Sequence, residues 1–171
     1  MASAAEVDRM VHAAHAAQVE WDQFGGLERA KYLDRAADLF EQHREELFSL
    51  CIREAGKTSV DAVLEVREAV DFLRFYASEA RRQFAKPISL PGRTGELNEL
   101  RLHGRGVFAA ISPWNFPLAI LTGMTAAAVV TGNAVIMKPS DQTPIIAARL
   151  MDLLMEAGLP AGVVNLLTGP G

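Results

Sequence analysis

A single cysteine, Cys51, stands in 171 residues, so an internal disulfide is excluded and a zinc site would have to come from other ligands. Histidine is scarce as well. Of His12, His15, His43 and His103, only the first two lie a helical turn apart, and they read as solvated helix residues rather than a metal pair. Basic charge is not in excess: 17 Lys and Arg face 21 Asp and Glu, a formal net charge of −4, and no basic stripe invites nucleic acid. The first ten residues carry Glu6 and Asp8 and no apolar run, which is not the form of a secretory leader. Charge is missing altogether from Leu118 to Met137, a stretch whose length alone would span a bilayer. Thr131, Gly132 and Asn133 interrupt it as a helix stop and a turn, so it reads as a buried helix followed by a buried strand. Together these absences predict a cytoplasmic protein with no membrane and no nucleic-acid partner.

What is present changes texture along the chain. Residues 1–86 read as helical. A weak amphipathic pattern over 5–20 ends near Trp21, and Gly25-Gly26 break it. Leu33, Ala37 and Phe40 recur at helical spacing, and Leu47, Leu50 and Cys51 continue on a further helix that Gly56 closes as a C-cap. Thr58 to Asp61 has the form of a capping box. The long helix it opens carries Val63, Val66, Val70, Leu73, Ala77, Ala80 and Phe84 as one apolar stripe, with Glu65, Arg67, Glu68, Asp71 and Arg74 expected mostly off it.

Residues 87–106 form a connection, with Pro87, Pro91, Gly92 and Gly95 marking irregular backbone and Leu100 to His103 alternating like a half-exposed strand. Residues 107–171 then read strand, helix, strand, helix, strand: strands near 107–111, 134–138 and 163–167, helices near 118–131 and 144–157. Val107 to Ile111 is expected to be covered on both faces. The fold class is therefore α/β, a helical half followed by part of a Rossmann-like parallel sheet.

On such sheets ligands sit at the carboxyl ends of the strands, which directs attention to three loops. The first is Ser112-Pro113-Trp114-Asn115-Phe116-Pro117. Two prolines stiffen it, and a preorganised amide at a strand end is what an oxyanion hole requires. Alternatively, Asn115 caps the next helix while Trp114 and Phe116 belong to the core. The second loop is Lys138-Pro139-Ser140-Asp141. A lysine and a carboxylate there suit a nucleotide ribose; they equally suit a surface ion pair with an N-cap. The third, Thr168-Gly169-Pro170-Gly171, has only a lone Gly-x-Gly.

Residues 106–117, Gly-Val-Phe-Ala-Ala-Ile-Ser-Pro-Trp-Asn-Phe-Pro, resemble the signature of the aldehyde dehydrogenase superfamily, and the likeness extends over nearly the whole chain. The resemblance implies that Asn115 is the catalytic oxyanion donor. It implies that Ile111, Ser112, Pro113 and Trp114 run beside the nicotinamide half of NAD, and that Lys138, Ser140 and Asp141 meet the adenosine ribose. Gly169 and Gly171 would open the glycine loop toward the pyrophosphate. Asp141 stands where the family carries Glu, which leaves NADP beside NAD. Further segments, Glu41 to Leu47, Cys51 to Thr58 and Glu65 to Phe72, are most similar to L-glutamate γ-semialdehyde (1-pyrroline-5-carboxylate) dehydrogenases, including the dehydrogenase module of bifunctional proline utilisation proteins. That subfamily oxidises an aldehyde substrate of proline catabolism to L-glutamate, and Phe116 would pack on its aliphatic part.

The resemblance also implies a homo-oligomer joined through the strand near residues 97–106, for which a plain surface hairpin is the alternative. It places the family's nucleophilic Cys and its general base Glu beyond residue 171. Cys51, among Leu47 and Leu50, reads as a buried thiol and not a substitute. The 171 residues alone are accordingly expected to be inactive, with a strand edge and apolar surface left exposed. Two rivals remain: a nucleotide-binding module or pseudoenzyme, and a relative that reduces acyl phosphates or acyl-CoA.

Overall fold

The computed structural model describes residues 2–169. Four helices come first: α1 (Ala4–Gln23), α2 (Gly25–Gln42), α3 (Arg44–Ala55) and α4 (Ser59–Gln83). Local chemistry sets their ends. Ser3 and Glu6 form a reciprocal capping box on α1. Gly56, at φ 67°, closes α3 in the left-handed region. Thr58 caps α4 by accepting from the Asp61 amide, one half of the predicted capping box, while the Asp61 carboxylate accepts from the Thr58 hydroxyl instead of its amide. The Gly25-Gly26 break shrinks to one residue, Phe24, because Gly25 at φ 73° turns the chain straight into α2.

The connection is more ordered than expected. Ile88–Leu90 (β1) pairs antiparallel with Asn98–Leu100 (β2), so the strand expected over Leu100 to His103 instead ends at Leu100, and Pro87 and Pro91 concealed its partner. The remainder follows the predicted alternation: β3 (Val107–Ile111), α5 (Ala119–Val130), β4 (Ala134–Lys138), α6 (Pro144–Glu156) and β5 (Val164–Leu166), with the strands parallel in the order β3-β4-β5.

The period of two along β4 assigns its side chains to two layers. Ala134 and Ile136 face α1, meeting Met10 and Ala14. Val135 and Met137 face the main core, which α2, α4, α5 and α6 share. No helix among the described residues is long and apolar enough to cross a membrane; the uncharged run from Leu118 is divided between α5 and β4.

Two expectations need correction. The α4 stripe includes Ala62, Glu65 and Ala69, whereas Val63 is 45% exposed. The helix turns its 3.6-residue period toward α5, and that face passes through Glu65. β3 is not covered on both faces: Ala110 alone is buried, while Phe108 and Ile111 are exposed. β3 lies at the edge of the three-stranded sheet, so only part of its surface meets the helices.

The crossover helices α5 and α6 carry no acid in their first turn and no base in their last. A helix end left without partners is costly when buried, and here the partners come from far away in sequence. Glu65 of α4 accepts from the amides of Leu118 and Ala119 at 2.8 and 3.2 Å. Arg29 of α2 donates to the Val130 carbonyl at 2.8 Å at the other end of α5. On α6, Glu54 accepts from Ile145 and Ile146 at 2.7 and 2.8 Å, and Arg35 donates to Ala157 at 2.7 Å. The helical half thus clamps each crossover helix with an acid at its positive end and a base at its negative end.

Candidate active site at the strand ends

β3 leads directly into the first loop. The Ser112 amide donates to the Lys138 carbonyl at 3.2 Å, which continues the β3–β4 ladder one step and fixes where the loop departs. Pro113 and Pro117 then restrict its backbone. Trp114 and Phe116 are 49% and 40% exposed, so they are not core residues. Asn115 is exposed as well. It does not cap α5: the helix's N-cap residue is Leu118, with no side-chain cap of its own, and the first amides belong to Glu65. Both alternatives that would have kept the loop purely structural therefore fail.

Behind the loop lies a charged pair that the sequence reading missed. Glu65 is 1% exposed. Its Oε1 takes the two α5 amides, and its Oε2 lies 2.7 Å from Lys57 Nζ. That second contact is off hydrogen-bond alignment and acts as a buried ion pair. Lys57 Nζ in turn sits 3.8 Å from the centroid of the Phe116 ring, a cation–π contact. The available signal was α5 itself, an uncharged helix whose buried start needed an acceptor from somewhere.

The second and third loops meet. Lys138 Nζ donates to the Gly169 carbonyl at 3.1 Å and to Pro139 at 3.4 Å. Among the described residues it forms no ion pair with Asp141, which is exposed beside Ser140. Ser140 Oγ instead accepts from the Gln142 amide at 3.2 Å and shapes the turn into α6. Leu167 donates to the Met137 carbonyl at 2.8 Å, which holds the third loop against β4. Gly169 has open space where a side chain would stand. Gly171 lies outside the described residues.

One buried atom bears on cofactor fit. Ser112 is buried at the end of β3, and its hydroxyl has no hydrogen-bond partner among the described residues. Next to it Ile111 is 68% exposed. An unpaired hydroxyl, an apolar surface and a lysine at the carboxyl ends of adjacent parallel strands are a donor set that fits the sugar and ring of a dinucleotide.

The whole chain, residues 1–171, matches the aldehyde dehydrogenase family. The chain belongs to that family. Among curated aldehyde dehydrogenase relatives, it is 49% identical over 144 residues to the bifunctional protein PutA of Escherichia coli, covering 84% of this chain and 10% of that protein. It is 40% identical over 164 residues to 1-pyrroline-5-carboxylate dehydrogenase of Anoxybacillus flavithermus, covering 96% of this chain and 32% of the relative. Among solved structures, a Bradyrhizobium japonicum proline utilization A mutant superposes with a TM-score of 0.98 at 46% identity, over 99% of this chain and 18% of the other. The Thermus 1-pyrroline-5-carboxylate dehydrogenase with bound NAD gives 0.96 at 37% identity, over 99% of this chain and 33% of the other. The chain therefore spans about a tenth of the length of the bifunctional relatives and about a third of the single-activity ones.

Aldehyde dehydrogenase chemistry needs a nucleophile, and the chain's one thiol does not supply it. Cys51 is fully buried. Burial first, and the nearby Glu65 charge second, push its pKa up to about 12. Native protein at pH 8 should consequently resist alkylation by iodoacetamide, and denatured protein should react fully; rapid native labelling seen by mass spectrometry would contradict the burial. The sign of the linked stability follows. An unfolded thiol ionises near 9.0 and the folded one near 12, so Cys51 leaves stability unchanged below about pH 9 and lowers it as pH rises toward 12.

Proposed function

We propose that these residues form the oxyanion- and cofactor-binding part of an NAD-dependent dehydrogenase that oxidises L-glutamate γ-semialdehyde to L-glutamate. The observation that carries this reading is the loop at the end of β3, with Asn115 exposed between two prolines and freed from capping duty by Glu65.

When a nucleophile adds to an aldehyde, negative charge develops on the carbonyl oxygen. The Asn115 side-chain amide donates to that oxygen, and its stiff backbone spares the reaction the cost of orienting it. Phe116 offers an apolar face to the substrate's methylene groups. Bound NAD supplies the hydride acceptor. Ile111, Ser112, Pro113 and Trp114 would flank its nicotinamide half, with the buried Ser112 hydroxyl as donor, and Lys138, Ser140 and Asp141 would meet the adenosine ribose. Gly169, with no side chain in the way, leaves room toward the pyrophosphate. The acidic Asp141 favours ribose hydroxyls over a 2′-phosphate, which supports NAD over NADP. A homo-oligomer belongs to the same reading: Ile88, Leu90, Leu100 and Leu102 on and beside the β1–β2 hairpin are all exposed, and suit pairing with a neighbouring copy.

The 171-residue chain should produce no NADH from glutamate semialdehyde, because Cys51 is its one thiol and is buried. A chimera in which residues 1–171 replace the matching segment of the Anoxybacillus enzyme should produce it and should run as an oligomer in gel filtration. α-Ketoglutaric semialdehyde is the competing substrate to include, since a Bacillus subtilis dehydrogenase for that compound is 41% identical over 169 residues. A folded chimera that prefers it, or that prefers NADP, would overturn the corresponding part of the proposal.

A further inference from the structure

We infer that Glu65 and Lys57 are positioning residues for the Asn115 loop: a buried carboxylate fixes the loop's far end while its counter-ion fixes Phe116. The inference rests on the functional reading above for its meaning, but its geometry is independent of that reading.

The loop from Ser112 to Pro117 is tied at both ends. At the start, the Ser112 amide is held by β4. At the far end, Glu65 Oε1 accepts from Leu118 and Ala119, the two residues that follow Pro117. A carboxylate on two backbone amides fixes both position and direction, and hydrogen bonds to a charged acceptor are the strong ones. Lys57 adds a contact inside the loop. Its side chain is 10% exposed, its ammonium pairs with Glu65 Oε2, and it lies over the Phe116 ring. Phe116 is the immediate neighbour of Asn115, so the ring's place constrains the amide's. Removing the Glu65 charge would weaken its bonds to the two α5 amides and leave the Lys57 ammonium unpaired, and both effects converge on this loop.

Glu54 provides the internal control. It also caps α6 through two amides, one on each carboxylate oxygen, and among the described residues it forms no hydrogen bond or ion pair with Lys57 or the first loop. If carboxylate capping served only helix stability, Glu65→Gln and Glu54→Gln would behave alike.

The test uses the 171-residue chain and two local reporters. Hydrogen–deuterium exchange by mass spectrometry follows residues 112–120 and 140–147. Acrylamide quenching follows Trp114, since the other tryptophan, Trp21, is buried. Glu65→Gln is expected to speed exchange at Leu118 and Ala119 by about tenfold or more, as loss of a charged hydrogen bond does, and to change Trp114 quenching. Glu54→Gln is expected to speed exchange at Ile145 and Ile146 while leaving Trp114 unchanged. If Glu65→Gln does not fold, Lys57→Met, which keeps the α5 cap, decides: it should alter Trp114 quenching with Leu118 protection retained. Unchanged loop exchange and quenching in the folded Glu65 variant, or the same Trp114 response in both Glu variants, overturns the inference. So does an unmoved Trp114 in Lys57→Met. A chimera without turnover sinks the functional reading alone, because the loop measurements need neither cofactor nor substrate.

Discussion

Asn115→Ala in the active chimera is expected to lower kcat by about 10²–10³-fold, the usual effect of deleting one oxyanion donor, with KM nearly unchanged. The split follows from when the contact matters. The substrate's carbonyl oxygen carries little charge on binding and a full charge once attacked, so a donor aimed at that oxygen stabilises the transition state more than the ground state. Alanine removes the donor without disturbing a packing role, because Asn115 is exposed and caps nothing. The prolines on either side keep the backbone path in the variant. A kcat within tenfold of the parent chimera would mean that the oxyanion is held elsewhere, and a rise in KM with kcat unchanged would assign Asn115 to ordinary substrate binding.

Arg29→Met is expected to destabilise the fold by about 3–5 kcal/mol, the cost of breaking a buried ion pair from one side, and to lower the melting temperature by about 10 °C. Arg29 is 1% exposed. Its guanidinium donates to the carbonyls of Val130 at 2.8 Å, Asp22 at 2.7 Å and Trp21 at 3.3 Å, and pairs with the Asp22 carboxylate at 3.7 Å. Methionine restores much of the volume and none of the donors, leaving three carbonyls without this donor and a half-buried carboxylate only partly paired. Asp22 also receives the Gly104 amide at 2.8 Å and His103 Nδ1 at 3.1 Å, so the strand connection into β3 should loosen along with the C-terminal end of α5. Arg74 is the contrast. It pairs with Asp34, Asp38 and Glu41 from a side chain 40% exposed, and Arg74→Ala should cost no more than about 1 kcal/mol. Thermal melts followed by circular dichroism would compare the two, and equal losses would refute the ranking.

These two results address different halves of the molecule, and the way they depend on each other is the main structural lesson. The sheet half presents the candidate chemistry, yet its two crossover helices bring no acid to their first turns and no base to their last. The helical half carries no candidate catalytic group, yet supplies the acids and bases that close both helices. Each of the two loops that precede a crossover helix is therefore fixed by a glutamate from the helical half.

The sequence by itself determined the local features. Short-range rules suffice for the Ser3 and Thr58 caps, the Gly56 stop, the alternation of strands and helices from Val107 onward, and a stiff proline-bracketed loop at the end of β3, because each depends on residues within a few positions of one another. Family membership was legible for the same reason, since the motif around Asn115 is contiguous. Only the tertiary structure decided which side chains serve the ends of the crossover helices. Glu65 sits among charged residues on α4 and looks like any solvated acid until α5 packs against it, and Arg29 and Glu54 are equally unmarked in their own helices. Their partners lie 53 to 101 residues away, and no periodicity encodes a contact at that separation. The exposure of β3 was decided at the same level: an apolar run specifies a strand, but its place at the sheet's edge depends on which neighbours the packed chain provides.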